Sequence, residues 1–227
     1  MRAIYLEKDF SKASEIIITD NSYHHLAKVL RVKINESLLA LNGEGINAEL
    51  EIIEINKKQI KARVSNIKFY TQTNELSFFV GKLKKEAMDL VIKQSCEIGI
   101  KELIIGDTDY SQRYDLRPDR LRSLVISSIE QSNNPFLLKV RERSIKEIDL
   151  TEYEQILCFS LTKNNENKVF DSQKKSLIII GPEGGLSVEE EDYLANSHDN
   201  VSYIKLPTYI LRAPTALGCA AGYFFSK

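Results

Sequence analysis

From residue 75 onward the chain is built from short apolar runs of strand length separated by helical patterns. The runs are LSFFVGKL, KELIIGDT, EQILCFSL, SLIIIG and VSYIKLP. They are rich in β-branched and aromatic residues and mostly lack apolar/polar alternation, which marks strands covered on both faces. Between the first two lies a stretch with Ala87, Val91, Gln94/Ser95 and Ile98 on one helical face, ended by Gly99. After the second, Pro118 sits in the first turn of a helix whose core stripe is Leu121, Leu124, Val125 and Ile129. Two further helices follow, one after the glycine-rich turn at 181–185 and one at the C-terminus. Strands alternating with helices predict an α/β domain around a parallel sheet.

The first seventy residues have a different rhythm. RAIYL, EIIIT, SLLALN, NAELEIIEI and QIKARVSNIKF have strand composition, and Asn42-Gly43-Glu44-Gly45 makes a hairpin turn. One helix, around Ser22–Leu30, interrupts them, which suits a small β-barrel with a single helix. The polar stretch Tyr70–Asn74 reads as a linker, so the expected division is 1–70 and 74–227. No apolar run approaches membrane-span length, and MRAIYLEKDF lacks a signal-peptide core. Cys96, Cys158 and Cys219 are distant from one another and lie in apolar surroundings, so they read as reduced core cysteines of a cytoplasmic protein. His24, His25 and His198 form no Cys/His cluster, so no metal site is expected. A net charge of −1 does not argue for nucleic acid. The local clusters Lys28/Arg31/Lys33, Lys82/Lys84/Lys85, Arg117/Arg120/Arg122 and Arg141/Arg143 permit RNA binding without demanding it.

The stretch IIIGPEGGLSVEEEDYL, Ile178–Leu194, carries the chemistry. A buried strand runs into three glycines and a proline within five residues. A helix then starts at a capping box, Ser187 with Glu190. Glycines at the carboxyl end of a buried strand let backbone approach a ligand closely. The dinucleotide pattern G-x-G-x-x-G is absent, and so is a P-loop, while Glu183 would repel phosphate. The ligand should therefore not be a polyphosphate, and the acidic helix reads mostly as a solvated continuation. The C-terminal LPTYILRAPTALGCAAGYFFSK brings a second loop and a helix of small residues that permits close packing.

IIIGPEGGLS and LPTYILRAPTAL resemble the two signature loops of the SPOUT (α/β-knot) RNA methyltransferases, and most closely those of the RsmE family. HHLAKVLRVKINESLLALNGEG is similar to that family's N-terminal PUA-like β-barrel. KKEAMDLVIKQSCEIGIKELIIGDTDYSQR is similar to its first SPOUT helix and strand, and IEQSNNPFLLKV to a segment that usually reads glutamine-serine-x-arginine before a proline. The resemblance implies a C-terminal α/β-knot domain with a parallel sheet and a deep trefoil knot, joined to an N-terminal PUA-like barrel. It implies S-adenosyl-L-methionine as cofactor, a uridine N3 of 16S ribosomal RNA or the small subunit as target, and a homodimer. The cofactor would be held by Leu161, Gly181, Glu183, Gly184, Gly185, Leu186, Leu206, Ile210, Leu211, Ala216 and Leu217. Arg212 would steady negative charge on the base, and Thr215 would hydrogen-bond cofactor or base. Glu97 and Gln131 are lesser candidates for a role at the reacting base, with structural roles as the alternative. Lys28, Arg31 and Lys33 of the barrel, with Arg113, would contact RNA. Pro214 stands where the family usually has glutamate, and Asn134 where it commonly has arginine. Two alternatives stay open: a SPOUT enzyme for another rRNA or tRNA nucleotide, or a non-catalytic RNA-binding or ribosome-assembly protein that kept the fold.

Overall fold

The computed structural model describes residues 1–160, 163, 171–205 and 208–226. It divides into two compact units, Met1–Gln72 with Val125–Leu137, and Thr73–Leu124 with Leu138–Lys227.

In the first unit the strands are β1 (Arg2–Tyr5), β2 (Glu15–Ile18), β3 (Ser37–Leu41), β4 (Ile46–Ile55) and β5 (Ile60–Phe69). They form one sheet in the order β1-β3-β4-β5-β2. β1 and β3 are parallel, and the other pairs are antiparallel. The turn between β3 and β4 is fixed by Asn42, whose Oδ1 accepts from the Glu44 and Ile46 amides at 2.8 Å each. Alternate residues such as Leu38, Ala40, Ala48, Leu50, Ile52, Ile60 and Ala62 point into one core with Phe10 and Leu26. Each large aliphatic side chain fully buried there contributes about 1.5–3 kcal/mol. The single helix expected over Ser22–Leu30 is α1 (Asp20–His24) followed by a π-helical stretch, His25–Leu30, which Arg31 ends in left-handed backbone, φ 51°. The segment Val125–Leu137 belongs to this unit, which composition did not suggest. Its Leu137 amide donates to the Gly43 carbonyl at 2.8 Å, and Glu130 accepts from the Tyr5 amide at 2.8 Å. Burial raises the Glu130 pKa above the ordinary carboxylate value.

The second unit contains β6 (Leu76–Gly81), α2 (Lys85–Ile98), β7 (Glu102–Asp107), α3 (Pro118–Ser132, its last turns in the first unit), β8 (Lys139–Ser144), β9 (Gln155–Phe159), β10 (Ser176–Ile180), α4 (Val188–Ser197), β11 (Val201–Ile204) and α5 (Ala213–Phe225). Six strands form an all-parallel sheet in the order β11-β9-β10-β6-β7-β8. Both faces are covered. Phe79, Ile104, Cys158 and Ile179 enter one core with Tyr153, Leu194 and Tyr203. Their alternates Phe78, Leu103, Ile105 and Ile178 are also fully buried. Gly99, at φ 78°, ends α2 as expected, and Pro118 opens α3.

Several sequence expectations are corrected. The buried stripe of α2 is Met88, Val91, Ile92, Ser95 and Cys96, so Ala87, Gln94 and Ile98 flank it. β8, KVRERS, was not expected as a strand because it is charged throughout. It is an edge strand, and its Arg141 pairs with the buried Glu102 at 2.6 Å. Lys82 is buried against Glu142, with its ammonium 5.7 Å from the Tyr114 ring centre, so it is not part of an exposed basic cluster. Cys219 is exposed, because the inward face of α5 is Ala213, Ala216, Leu217, Ala220, Ala221 and Phe224.

Two outcomes check this packing. A Cβ at Gly106 would lie 1.9 Å from Cζ of the fully buried Phe79 ring. Gly106→Ala should therefore destabilise the fold by about 1–3 kcal/mol, read as a lower urea midpoint at unchanged slope; an unaltered midpoint would contradict the register of β6 and β7. Cys96 and Cys158 are buried, and burial raises the Cys158 pKa, keeping it a thiol. Iodoacetamide on the native chain should add a single carbamidomethyl group, on Cys219 by peptide mass.

Candidate cofactor and RNA site

Three adjacent strands end level. Phe159 of β9 pairs with Ile180 of β10 on one side and with Ile204 of β11 on the other. The chain leaves all three at the same edge, and a cavity of about 480 Å³ opens there. Carboxyl ends of parallel strands are the usual place for such a site, because loops diverge there with unpaired backbone groups. Phe159, Ile180, Ile204, Ile210, Leu211, Ala213 and Ala216 give it apolar walls, while Glu183, Lys205 and Arg212 supply charge.

The floor is the glycine turn. The Gly185 amide donates to the Pro182 carbonyl at 2.9 Å, and Gly185 has φ 78°. A Cβ on Gly181 would lie 2.7 Å from the Gly185 carbonyl carbon, so the turn closes on itself only with glycine there. Pro182 is seated against Gly81, where a Cβ would meet the proline ring at 2.4 Å. Glu183 accepts from the Lys84 amide at 3.3 Å, at the start of α2, where a carboxylate complements the positive end of the helix.

The capping box is present: the Ser187 hydroxyl accepts from the Glu190 amide, and Glu190 accepts from the Ser187 amide. Glu190 also accepts from the Asp109 amide at 2.9 Å, and Ser187 Oγ donates to Asp109 at 2.6 Å. These bonds tie the loop after β7 to the glycine turn. The acidic helix is thus not simply solvated: Glu190 and Glu191 are both buried. Glu191 accepts from Ser160 Oγ at 2.8 Å, and its carbonyl from the Tyr203 hydroxyl at 2.6 Å. Burial, with Cys158 beside it, raises the Tyr203 pKa and keeps that phenol a donor.

Of the residues singled out in the sequence, Gly181, Glu183, Gly185, Ile210, Leu211, Arg212 and Ala216 line this one cavity. Arg212 is exposed in extended backbone just before α5, and its guanidinium has no hydrogen-bond or ion-pair partner among the described residues. Gly184 faces the Tyr110 side chain instead, 3.0 Å from where its Cβ would be. Leu186 packs against the core under the sheet, Leu217 is fully buried, and Thr215 points to solvent. Leu161 and Leu206 lie outside the described residues. Pro214 is accommodated in the first turn of α5, as its ring requires. Asn134 is occupied structurally, its Oδ1 accepting from the Phe136 amide at 2.9 Å. Glu97 is exposed on α2 and Gln131 on α3, and neither lines the cavity.

Arg113 lies in a second, polar hollow of about 430 Å³ with Asp107, Asp109, Lys146 and Glu190. Lys28, Arg31 and Lys33 are exposed on the first unit. Sequence reasoning missed Phe159, Ser160, Thr208 and Tyr209 of the main cavity. Only the end of an apolar run marked Phe159, and nothing in spacing marked the rest. Among the described residues, no three His, Cys, Asp or Glu side chains gather as metal ligands, and no helix is long and apolar enough to cross a membrane.

Comparison with known proteins gives this geometry a family. A ribosomal RNA small subunit methyltransferase E 2 of Borreliella burgdorferi is 29% identical over 99% of this chain and 96% of its own. The ribosomal RNA small subunit methyltransferase E of Rickettsia conorii is 29% identical over 94% of this chain and 90% of its own. The crystal structure of a ribosomal RNA small subunit methyltransferase E from Neisseria gonorrhoeae bound to S-adenosyl methionine superposes with a TM-score of 0.82 at 21% identity, covering 100% of this chain and 97% of that one. That likeness gives the fold: a SPOUT-type α/β domain with a PUA-like domain. The family model described as RNA methyltransferase domain matches residues 71–224, and the RNA methyltransferase PUA domain matches residues 18–65. With most of its length covered by the first of these, the chain belongs to the RNA methyltransferase family.

Proposed function

We propose that this chain transfers a methyl group from S-adenosyl-L-methionine to N3 of a uridine in 16S ribosomal RNA, acting in the cytoplasm on the rRNA or the small subunit. The observation that carries the reading is a cavity at three level strand ends, floored by the glycine turn, with an arginine at its edge that has no hydrogen-bond or ion-pair partner among the described residues. Two relatives named as small-subunit rRNA methyltransferases support the substrate, and a structural neighbour titled as bound to S-adenosyl methionine supports the cofactor.

The residues present suit that cofactor. The volume is in the range of small-molecule sites, and the walls are largely apolar, as an adenosine needs. Gly181 and Gly185 line the cavity without side chains, which would let a ligand edge approach the backbone there. Glu183 at the rim suits a cation better than a phosphate. When bound, the cofactor would supply an electrophilic methyl on a sulfonium. The chain's own contribution is to hold the acceptor in line and exclude water, from which much of the acceleration in such a transfer comes. The N3 proton must leave to solvent before the methyl arrives, and until the N–CH3 bond forms the negative charge is shared between N3 and the uracil carbonyl oxygens. Arg212, without a competing partner among the described residues, is the group we assign to stabilise that charge. Lys28, Arg31, Lys33 and Arg113 would hold the phosphate backbone. The trefoil knot belongs to this proposal too.

A homodimer is also proposed. On the outward side of α5, Gly218 and Gly222 have open space where a Cβ would stand, and Phe225 is about half exposed. Small residues four apart beside an exposed aromatic suit close approach of a second helix. Gly222→Glu should shift sedimentation from dimer to monomer; a wild-type chain that sediments as a monomer at micromolar concentration would remove this part.

The reaction is tested with labelled cofactor, unmethylated small subunits and nucleoside mass spectrometry. A 3-methyluridine product is expected, with Arg212→Ala slower by roughly 10²–10³-fold. Label in another nucleotide would favour a different RNA target. No transfer and no cofactor binding would leave an RNA-binding protein, the reading that Pro214 motivates. Gly181→Ala should abolish cofactor binding by calorimetry, because the added methyl collides with backbone rather than with a movable side chain.

A further inference from the structure

Tyr209 is 97% exposed, the most exposed large hydrophobic side chain among the described residues, and Ile210 beside it is 80% exposed. Both line the cavity that holds the glycine turn. An aromatic ring left wholly in solvent at the mouth of a site gains nothing for the fold. It has no ring, hydrogen-bond or ion-pair partner among the described residues. Three residues further on stands the guanidinium of Arg212, also without a partner among the described residues. An exposed aromatic face beside a free cation is the combination by which proteins take up unstacked RNA bases: the ring replaces the lost base stack and the cation meets phosphate or carbonyl oxygens. A uridine whose N3 is to react must leave its neighbours to reach a pocket, so a stacking partner at the mouth offsets the cost of unstacking.

We infer that Tyr209 is a stacking platform for the target uracil, positioning the base at the cavity mouth beside Arg212. The inference rests on the methyl-transfer reading for its substrate, but the stacking can be measured without the reaction. Because the ring is exposed, substitution should leave the fold intact, with an unchanged melting temperature.

The chain contains no tryptophan, so Tyr209→Trp introduces a single fluorophore at the site. Titrating the full-length Y209W chain with a short single-stranded uridine-containing RNA should quench and shift its emission. Parallel kinetics on small subunits should show Y209A raising KM for RNA roughly tenfold or more, the range of a lost stacking contact. Y209F should stay near wild type, since the π face is kept, and cofactor affinity should be equal in all three. Quenching of Y209W by RNA with no methyl transfer by the wild-type chain would uphold the platform and overturn the reaction instead. A silent Y209W together with an unchanged KM in Y209A would overturn the platform while leaving the reaction standing. Emission that follows protein concentration rather than RNA would place a second copy of the chain on the ring, and loss of cofactor binding in Y209A would make the ring a cofactor wall; either would overturn the inference.

Discussion

The site depends on one constraint, the in-register parallel pairing that ends β9, β10 and β11 at the same level. Parallel strands cannot be joined by hairpins, so each must be left by a long connection at that edge. Phe159, Ile180 and Ile204 set where those departures begin. Everything that lines the cavity is a short excursion from one of these points. A one-residue slip of any strand would turn its wall residues to the other face of the sheet. The register is therefore as much a part of the site as Arg212.

Around that constraint the molecule uses few polar side chains, and most serve other side chains or backbone. Glu190 and Ser187 satisfy each other's amides and also hold Asp109. Glu183 engages the amide of Lys84 at the start of α2. Glu191 takes the hydroxyls of Ser160 and Tyr203. A run of acidic residues thus joins loops to helices, and Arg212 at the cavity edge has none of them as a partner among the described residues.

Much of this was legible in the sequence where chemistry is local. The apolar runs of β6, β7, β9, β10 and β11 announce a sheet buried on both faces, and Ser187 with Glu190 announces the helix start. Gly181, Gly185, Arg212 and Ala216 were singled out from two short stretches and line one cavity. What was not legible is tertiary. β8 carries no apolar signal because it is an edge strand, held by its neighbour's ladder and by Arg141 on Glu102. The allegiance of Val125–Leu137 to the first unit depends on contacts with Gly43, Gly45 and Tyr5 far away in sequence. Cys219 reads as core among alanines, and only the phase of α5 turns it outward. Pro182 against Gly81 joins two strand ends a hundred residues apart, a contact no pattern contains.

The glycine turn has a further consequence. Its shape is enforced by backbone meeting backbone at Gly181 and Gly185, not by the identity of the side chains around it. A pocket made that way places strict demands on a handful of positions and loose ones on its walls, where Ile204, Ile210 and Leu211 need only be apolar and of suitable volume. Descendants of such a chain can exchange most of their surface and much of their core while the cradle keeps its form. Evolutionary drift should then be recorded in the rim, where side chains such as Tyr209 can change from lineage to lineage and with them the RNA that is admitted.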